Sequence, residues 1–370
     1  RLFPGKRIVL LIAALPVDHN WSLPTLWPSP QIFMLRFSFT FKLGEQRSTI
    51  RTPYPIQAHL CGYITHALRR RHPEKQHISG YSALQSELWR QICATDKTST
   101  LGARKLTNKD WPIAYFKLMR QRPAPPVYLP REDAAFIRVG LDSALGETAT
   151  SRLGLCCLYL RDRGSAEEIE TSSRSGSSVA EYLSAIRYLN TQGYQCLVTG
   201  DLSLPPDAID EFGGWLVDAT SLGIDAERFS LFALTEADIF IGEAGGASFL
   251  PGINNIPTLL LNNFPPYQTR RGATAFLKIC RDELGAAISP QRILTEYAHA
   301  YQIPGGSVSP NTATEILNAV TDFIENRRSD EPYGIKIDDI VDGAHETWYV
   351  DAQSHLSPAW LTAIGHNLPP

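Results

Sequence analysis

Two arginines and a glycine pair are the residues of this chain best equipped to handle a charged ligand. Arg161 and Arg163 stand in "YLRDRG" (Tyr159 to Gly164), directly behind an apolar run, and Gly245 and Gly246 stand in "IGEAGGASFLPG", behind another. A guanidinium fork matches a phosphate through two parallel N–H bonds. Glycines admit positive φ and let backbone N–H groups approach a ligand closely. Ser248 opens the segment after them, where a helix N-terminus would present further donors to a pyrophosphate. The same residues have plainer uses: Arg161 can pair with Asp162 and anchor its loop, and the glycines can form a tight strand-to-helix turn without any ligand.

Other groups extend this constellation. Arg174 lies in the hydroxyl-rich "SSRSGSS" (Ser172 to Ser178), which either closes over a diphosphate or is a solvated loop; in both cases Ser177 or Ser178 suits a helix N-cap. Asp18 and His19, in "PVDHNW", are the candidates for a general base that would deprotonate an acceptor hydroxyl, against an ordinary structural role in a loop. The chain carries no G-x-G-x-x-G, no Walker A lysine, no G-x-S-x-G elbow, no H-E-x-x-H and no D-x-D, so the chemistries those motifs serve lose their sequence support.

The bulk properties narrow the field further. A length of 370 residues points to two domains. Composition is that of a soluble globular protein, and a net charge of -3 leaves no basic footprint for nucleic acid. Seven Trp and fourteen Tyr suit either ring stacking on a sugar or an ordinary core. Six cysteines with no C-x-x-C spacing read as buried free thiols in a reducing compartment, with no structural zinc site. The early run "KRIVLLIAALP" has the apolar length of a signal segment but no A-x-A site, and reads as a buried first strand, Ile8 to Leu15. The chain begins at Arg1, which is compatible with a trimmed N-terminus.

The elements that must position these groups follow from periodicity. In the first 125 residues, "IFMLRFSFTF" reads as a strand, and "IQAHLCGYITHALRRR" and "YSALQSELWRQICA" have helical apolar spacing. The proline-rich "RQRPAPPVYLPRED" reads as an extended connector. From about residue 151 the order is regular. "GLCCLYLRD" is a continuous apolar run ending in charge, as in a parallel strand buried on both faces. "VAEYLSAIRYLNTQG" places Val179, Tyr182, Leu183, Ile186 and Leu189 on one helical face and stops at Gly193. "YQCLVTGD", "GWLVDAT", "DIFIGEAGG" and "IPTLLLNN" read as strands, and "DAERFSLFALTEA" as a helix between them. This alternation predicts a doubly wound parallel sheet, whose ligands bind beyond the carboxyl ends of the strands. Those ends are Arg161-Asp162, Gly200-Asp201, Asp218, Gly242 to Gly246 and Asn262-Asn263.

Taken in order, "LYLRDRG", the Arg174 loop, "YLSAIRYLNTQGYQCLVTGD", "FALTEADIFIGEAGGASFLPGINNIPTLLLNNFP" and "HLSPAWLTAIG" resemble a family of bacterial glycosyltransferases encoded among surface-polysaccharide genes. The resemblance spans about residues 125 to 366 and rests on the shared order of five segments. It implies an α/β fold of two Rossmann-like domains facing across a cleft (GT-B-like), with residues 1–125 as an acceptor-side domain, 126–330 as the nucleotide-sugar domain and 331–370 as a tail with a short closing helix.

By that resemblance Arg161 and Arg174 would meet the donor diphosphate, with Gly245, Gly246 and Ser248 beside it and Glu243 facing the donor's sugar or ribose; Gly200 and Asp201, at a strand end on the same edge, complete the expected donor-binding set. The family's Thr/Ser-Gly is replaced here by Glu-Ala-Gly-Gly, which leaves the donor's identity open. Asp18 and His19 lie where the resemblance is silent. The expectation is a metal-independent, cytoplasmic glycosyltransferase that needs no cofactor. It would take a nucleotide-sugar and a glycan or other hydroxyl acceptor, without nucleic acid, and is compatible with a place at the membrane periphery. A nucleotide-sugar epimerase or hydrolase, or a non-catalytic nucleotide-binding module, would use the same groups.

Overall fold

The computed structural model describes residues 126–366, except 162–177, 201–203, 246, 267–268, 270–271, 299, 301, 328–332 and 342–353. It also describes a hairpin over 38–43 and 46–51 and the helical residues 66–67 and 70–71. The chain divides into two compact units, 1–114 and 115–370. In the first, β1 (Ser38–Leu43) and β2 (Gln46–Arg51) pair antiparallel from Ser38 opposite Arg51 to Leu43 opposite Gln46. The expected first strand, Ile8 to Leu15, lies outside the described residues.

The second unit is built on an eight-stranded sheet in the order β11-β12-β8-β7-β6-β3-β4-β5. Its central strand, β3 (Gly154–Leu160), is apolar on both faces, which only a strand covered by helices on both sides can afford. β4 (Tyr194–Gly200) and β5 (Leu216–Val217) add parallel on one flank. On the other flank β6 (Ile239–Glu243), β7 (Thr258–Asn263) and β8 (Ala273–Leu277) also add parallel. The chain therefore leaves β3 in one direction and resumes at β6 in the other. That reversal makes the carboxyl ends of β3 and β6 the topological switch point of a doubly wound sheet, where ligands of such sheets bind.

One face of the sheet packs against α2 (Val179–Thr191) and α7 (Ala313–Asn326). In α2 the residues Val179, Tyr182, Ala185, Ile186 and Leu189 form the buried stripe, Glu181 reaches back to the Ser178 N–H as a capping-box partner, and Gly193 ends the helix at φ 76°. α7 uses the same cap chemistry, Thr312 with Glu315, and buries Ile316, Ala319, Val320 and Phe323. The opposite face is covered by α4 (Ala226–Glu236), N-capped by Asp225, and by α1 (Arg131–Leu145).

The end of the proline-rich segment belongs to this unit. Val127 and Leu129 are buried, and the Asn254 side chain both accepts from the Val127 N–H (2.9 Å) and donates to its carbonyl (2.6 Å). A small antiparallel pair, β9 (Ile279–Arg281) and β10 (Ser307–Ser309), follows β8. The last segment lines the sheet edge. β12 (His355–Leu356) pairs parallel with β8 and antiparallel with β11 (Ile335–Lys336), and the closing helix α9 (Pro358–Ala363) buries Trp360 and Leu361.

Among the described residues, no helix is long and apolar enough to cross a membrane. Cys156, Cys157, Cys196 and Cys280 are free and buried, as the cysteine spacing predicts.

Two predictions follow from the sheet. Gly200 has φ +114° and a Cβ there would stand 1.9 Å from the Leu160 carbonyl oxygen, so no side chain fits. Gly200→Ala is expected to destabilise by about 1–3 kcal/mol or more, read as a lower urea midpoint at unchanged slope. His355 is buried opposite Thr274 and Lys336; burial first, then the Lys336 charge, hold its imidazole below the ordinary range, with Asp339 opposing. The unfolded chain then binds the proton more readily than the folded one. Stability should fall as pH drops through about 6.5, and His355→Gln should flatten that part of the profile in melts between pH 5 and 8.

Candidate functional site

At the switch point, Tyr159 and Arg161 stand two residues apart at the end of β3, where alternation sends both to the same face. Their ends converge on the glycine loop that follows β6. A Cβ placed on Gly245 would lie 3.3 Å from Arg161 Nη1 and 3.5 Å from both Cε1 and the hydroxyl of Tyr159. The sequence pairs Arg161 and Gly245 only as two strand ends on one edge; in the fold they touch.

Local chemistry explains how the two strands come so close. Gly242 pairs with Tyr159, and a Cβ at Gly242 would meet the Tyr159 carbonyl oxygen at 2.3 Å. With no side chain there, the Tyr159 ring lies along β6 and stacks on Phe240, centroids 6.2 Å apart at 28°. Gly245 does not adopt a left-handed φ, so what it supplies is space for the guanidinium rather than an unusual backbone conformation. Ser248 is fully buried and locks the loop, donating to the Gly245 carbonyl at 2.8 Å and accepting from the Gly245 N–H at 3.3 Å. The helix it opens, α5 (Phe249–Ile253), is a little over one turn long.

Beside this loop lies a buried polar network that joins Glu243 and Asn262, both at strand ends the sequence marks, to Tyr182 and Asn311, which it does not. Glu243, the last residue of β6, is 4% exposed. Its carboxylate accepts from the Asn262 side-chain amide at 3.5 Å, and the same amide nitrogen donates to the Tyr182 hydroxyl of α2 at 3.4 Å. Burial, and then the Glu243 charge, push the Tyr182 phenol well above its ordinary range, so it stays protonated.

Asn262 sits at φ 50°, where the β7–β8 register shifts, a conformation asparagine tolerates better than most residues. Its backbone N–H donates to Asn311 Oδ1 and its own Oδ1 accepts from the Asn311 N–H, both at 2.6 Å, while the Asn311 amide reaches the Leu277 carbonyl at 3.1 Å. Asn263 donates to Thr269 at 2.6 Å. Lys278, almost fully buried, follows β8 at the same edge, so among the described residues the carboxyl edge carries Arg161, Lys278 and the buried Glu243 carboxylate.

The predicted site residues therefore divide. Arg161 and Gly245 are brought together. Gly200 flanks them, because it pairs with Leu160 at the end of β4. Ser248 closes the loop, and Glu243 turns toward α2 and Asn262. Asp18, His19, Arg174, Asp201 and Gly246 lie outside the described residues. Tyr159 reads in the sequence as one more core residue of β3; the signal that marks it is its place two residues before Arg161.

Cys156, Cys157 and Cys280 are poor candidates for a thiol nucleophile. Burial pushes Cys156 and Cys157 well above the ordinary thiol range and Cys280 up to about 12. No cluster of three or more His, Cys, Asp or Glu suited to a metal ion occurs among the described residues. Comparison with protein-family models, with curated proteins and with solved structures gives no match.

The network should hold the loop through Asn311. Asn311→Ala takes the acceptor from the buried Asn262 N–H and the donor from the Leu277 carbonyl, each expected to cost about 1–3 kcal/mol. Tyr182→Phe removes one long bond and should cost less than about 1.5 kcal/mol. Chemical denaturation of the two variants checks that order.

Proposed function

We propose that this chain is a glycosyltransferase that moves a sugar from a nucleotide-activated donor to an acceptor hydroxyl, with the donor diphosphate beyond the carboxyl ends of β3 and β6. One observation carries the reading: at the switch point of a parallel sheet Arg161 comes so close to Gly245 that a Cβ there would lie 3.3 Å from its Nη1. There a cation and close-approaching backbone serve a phosphate better than any uncharged ligand. The order of sequence segments resembling polysaccharide-locus glycosyltransferases supports the same assignment.

In this reaction the acceptor oxygen forms a bond to the anomeric carbon. The bond from that carbon to the phosphate oxygen breaks, and its electron pair stays on the diphosphate. Negative charge grows there, and Arg161 is the group that stabilises it. Arg174, from the segment after β3, would add a second guanidinium, with Gly246 and Asp201 beside the same ligand. The acceptor's proton passes to a base from the N-terminal residues, for which Asp18 and His19 are the candidates. Glu243 and Ser248 act indirectly, holding the edge and the loop in place. Those N-terminal residues would form a second Rossmann-like domain facing that edge across a cleft. The arginines make a divalent cation unnecessary. Free buried thiols fit a reducing, cytoplasmic setting.

The test is a thermal-shift panel of UDP, GDP, CDP, dTDP and CMP, with and without EDTA, on wild type and Arg161→Ala. A nucleotide at 100 times its dissociation constant stabilises by about 2.7 kcal/mol, which is readily seen. One nucleoside diphosphate should shift wild type, not the variant, and EDTA should change nothing. No shift from any nucleotide overturns the reading; a shift abolished by EDTA overturns its metal-independent form.

A further inference from the structure

We draw no further inference here: the strongest candidate, the outward face of α1, where Phe136 and Val139 stand exposed one turn apart, carries nothing because nothing in the structure shows what covers it.

Discussion

Everything at the candidate site depends on how closely the backbone of β3 is approached at its carboxyl end. Two neighbours press on it from opposite sides. Gly200 of β4 faces the Leu160 carbonyl, where a Cβ would lie 1.9 Å away, and Gly242 of β6 faces the Tyr159 carbonyl, where it would lie 2.3 Å away. In a parallel sheet the switch-point strand must pair on both flanks while its neighbours lead off in opposite directions. Glycine on each flank lets the pairing run to Leu160 on the β4 side and to Tyr159 on the β6 side. Tyr159 and Arg161 then leave the sheet at its rim, directly above the loop that follows β6. A side chain at either glycine would pry the strands apart where the geometry is used.

The second support is polar and lies one layer down. A carboxylate buried like that of Glu243 is tolerated only with partners. Asn262 supplies one, and the same amide ties in Tyr182 from α2. Asn262 is fixed in turn by the reciprocal bonds with Asn311, just before the capping box that starts α7. One network thus joins β6, β7, α2 and the entry to α7, the helix that packs against α2. A sheet edge left to apolar contacts would have no preferred depth along the strand axis. Directional bonds at 2.6 Å give it one. This is how the loop that Ser248 closes is set at a fixed height relative to Arg161.

Much of this was legible in the sequence between residues 151 and 263, for a physical reason. Strands covered on both faces must be continuously apolar, so "GLCCLYL" and "IPTLLL" announce themselves, and α2 shows its stripe and its glycine stop. Legibility ended where pattern carries no direction. A strand covered on both faces gives no sign of which face a residue takes. Glu243 therefore read as a ligand-facing carboxylate with no sign of its bond to Asn262, and Tyr159 read as core. Gly245 read as a positive-φ residue because glycine permits that, while the fold uses only its lack of a side chain. α1 was hidden behind prolines that lead straight into its first turn. β12, at two residues, exists only because β8 offers it an edge. The reciprocal Asn262–Asn311 pair spans 49 residues of sequence, and no local spacing marks it.

The distinction between gripping a diphosphate and helping it leave turns on rigidity. A flexible donor reorients to suit whatever charge is present and so binds donor sugar and released nucleotide by settling around each. A fixed donor aimed at the phosphate gains more as charge accumulates there, because its orientation cost was met when the protein folded. Tyr159 is fixed by Phe240 and by the space at Gly242, and Arg161 emerges from the same strand end against Gly245. In the proposed reaction Arg161 would stand where the electron pair of the broken bond comes to rest. The glycines flanking the end of β3 would serve that reaction indirectly, by fixing the strand end from which Arg161 emerges.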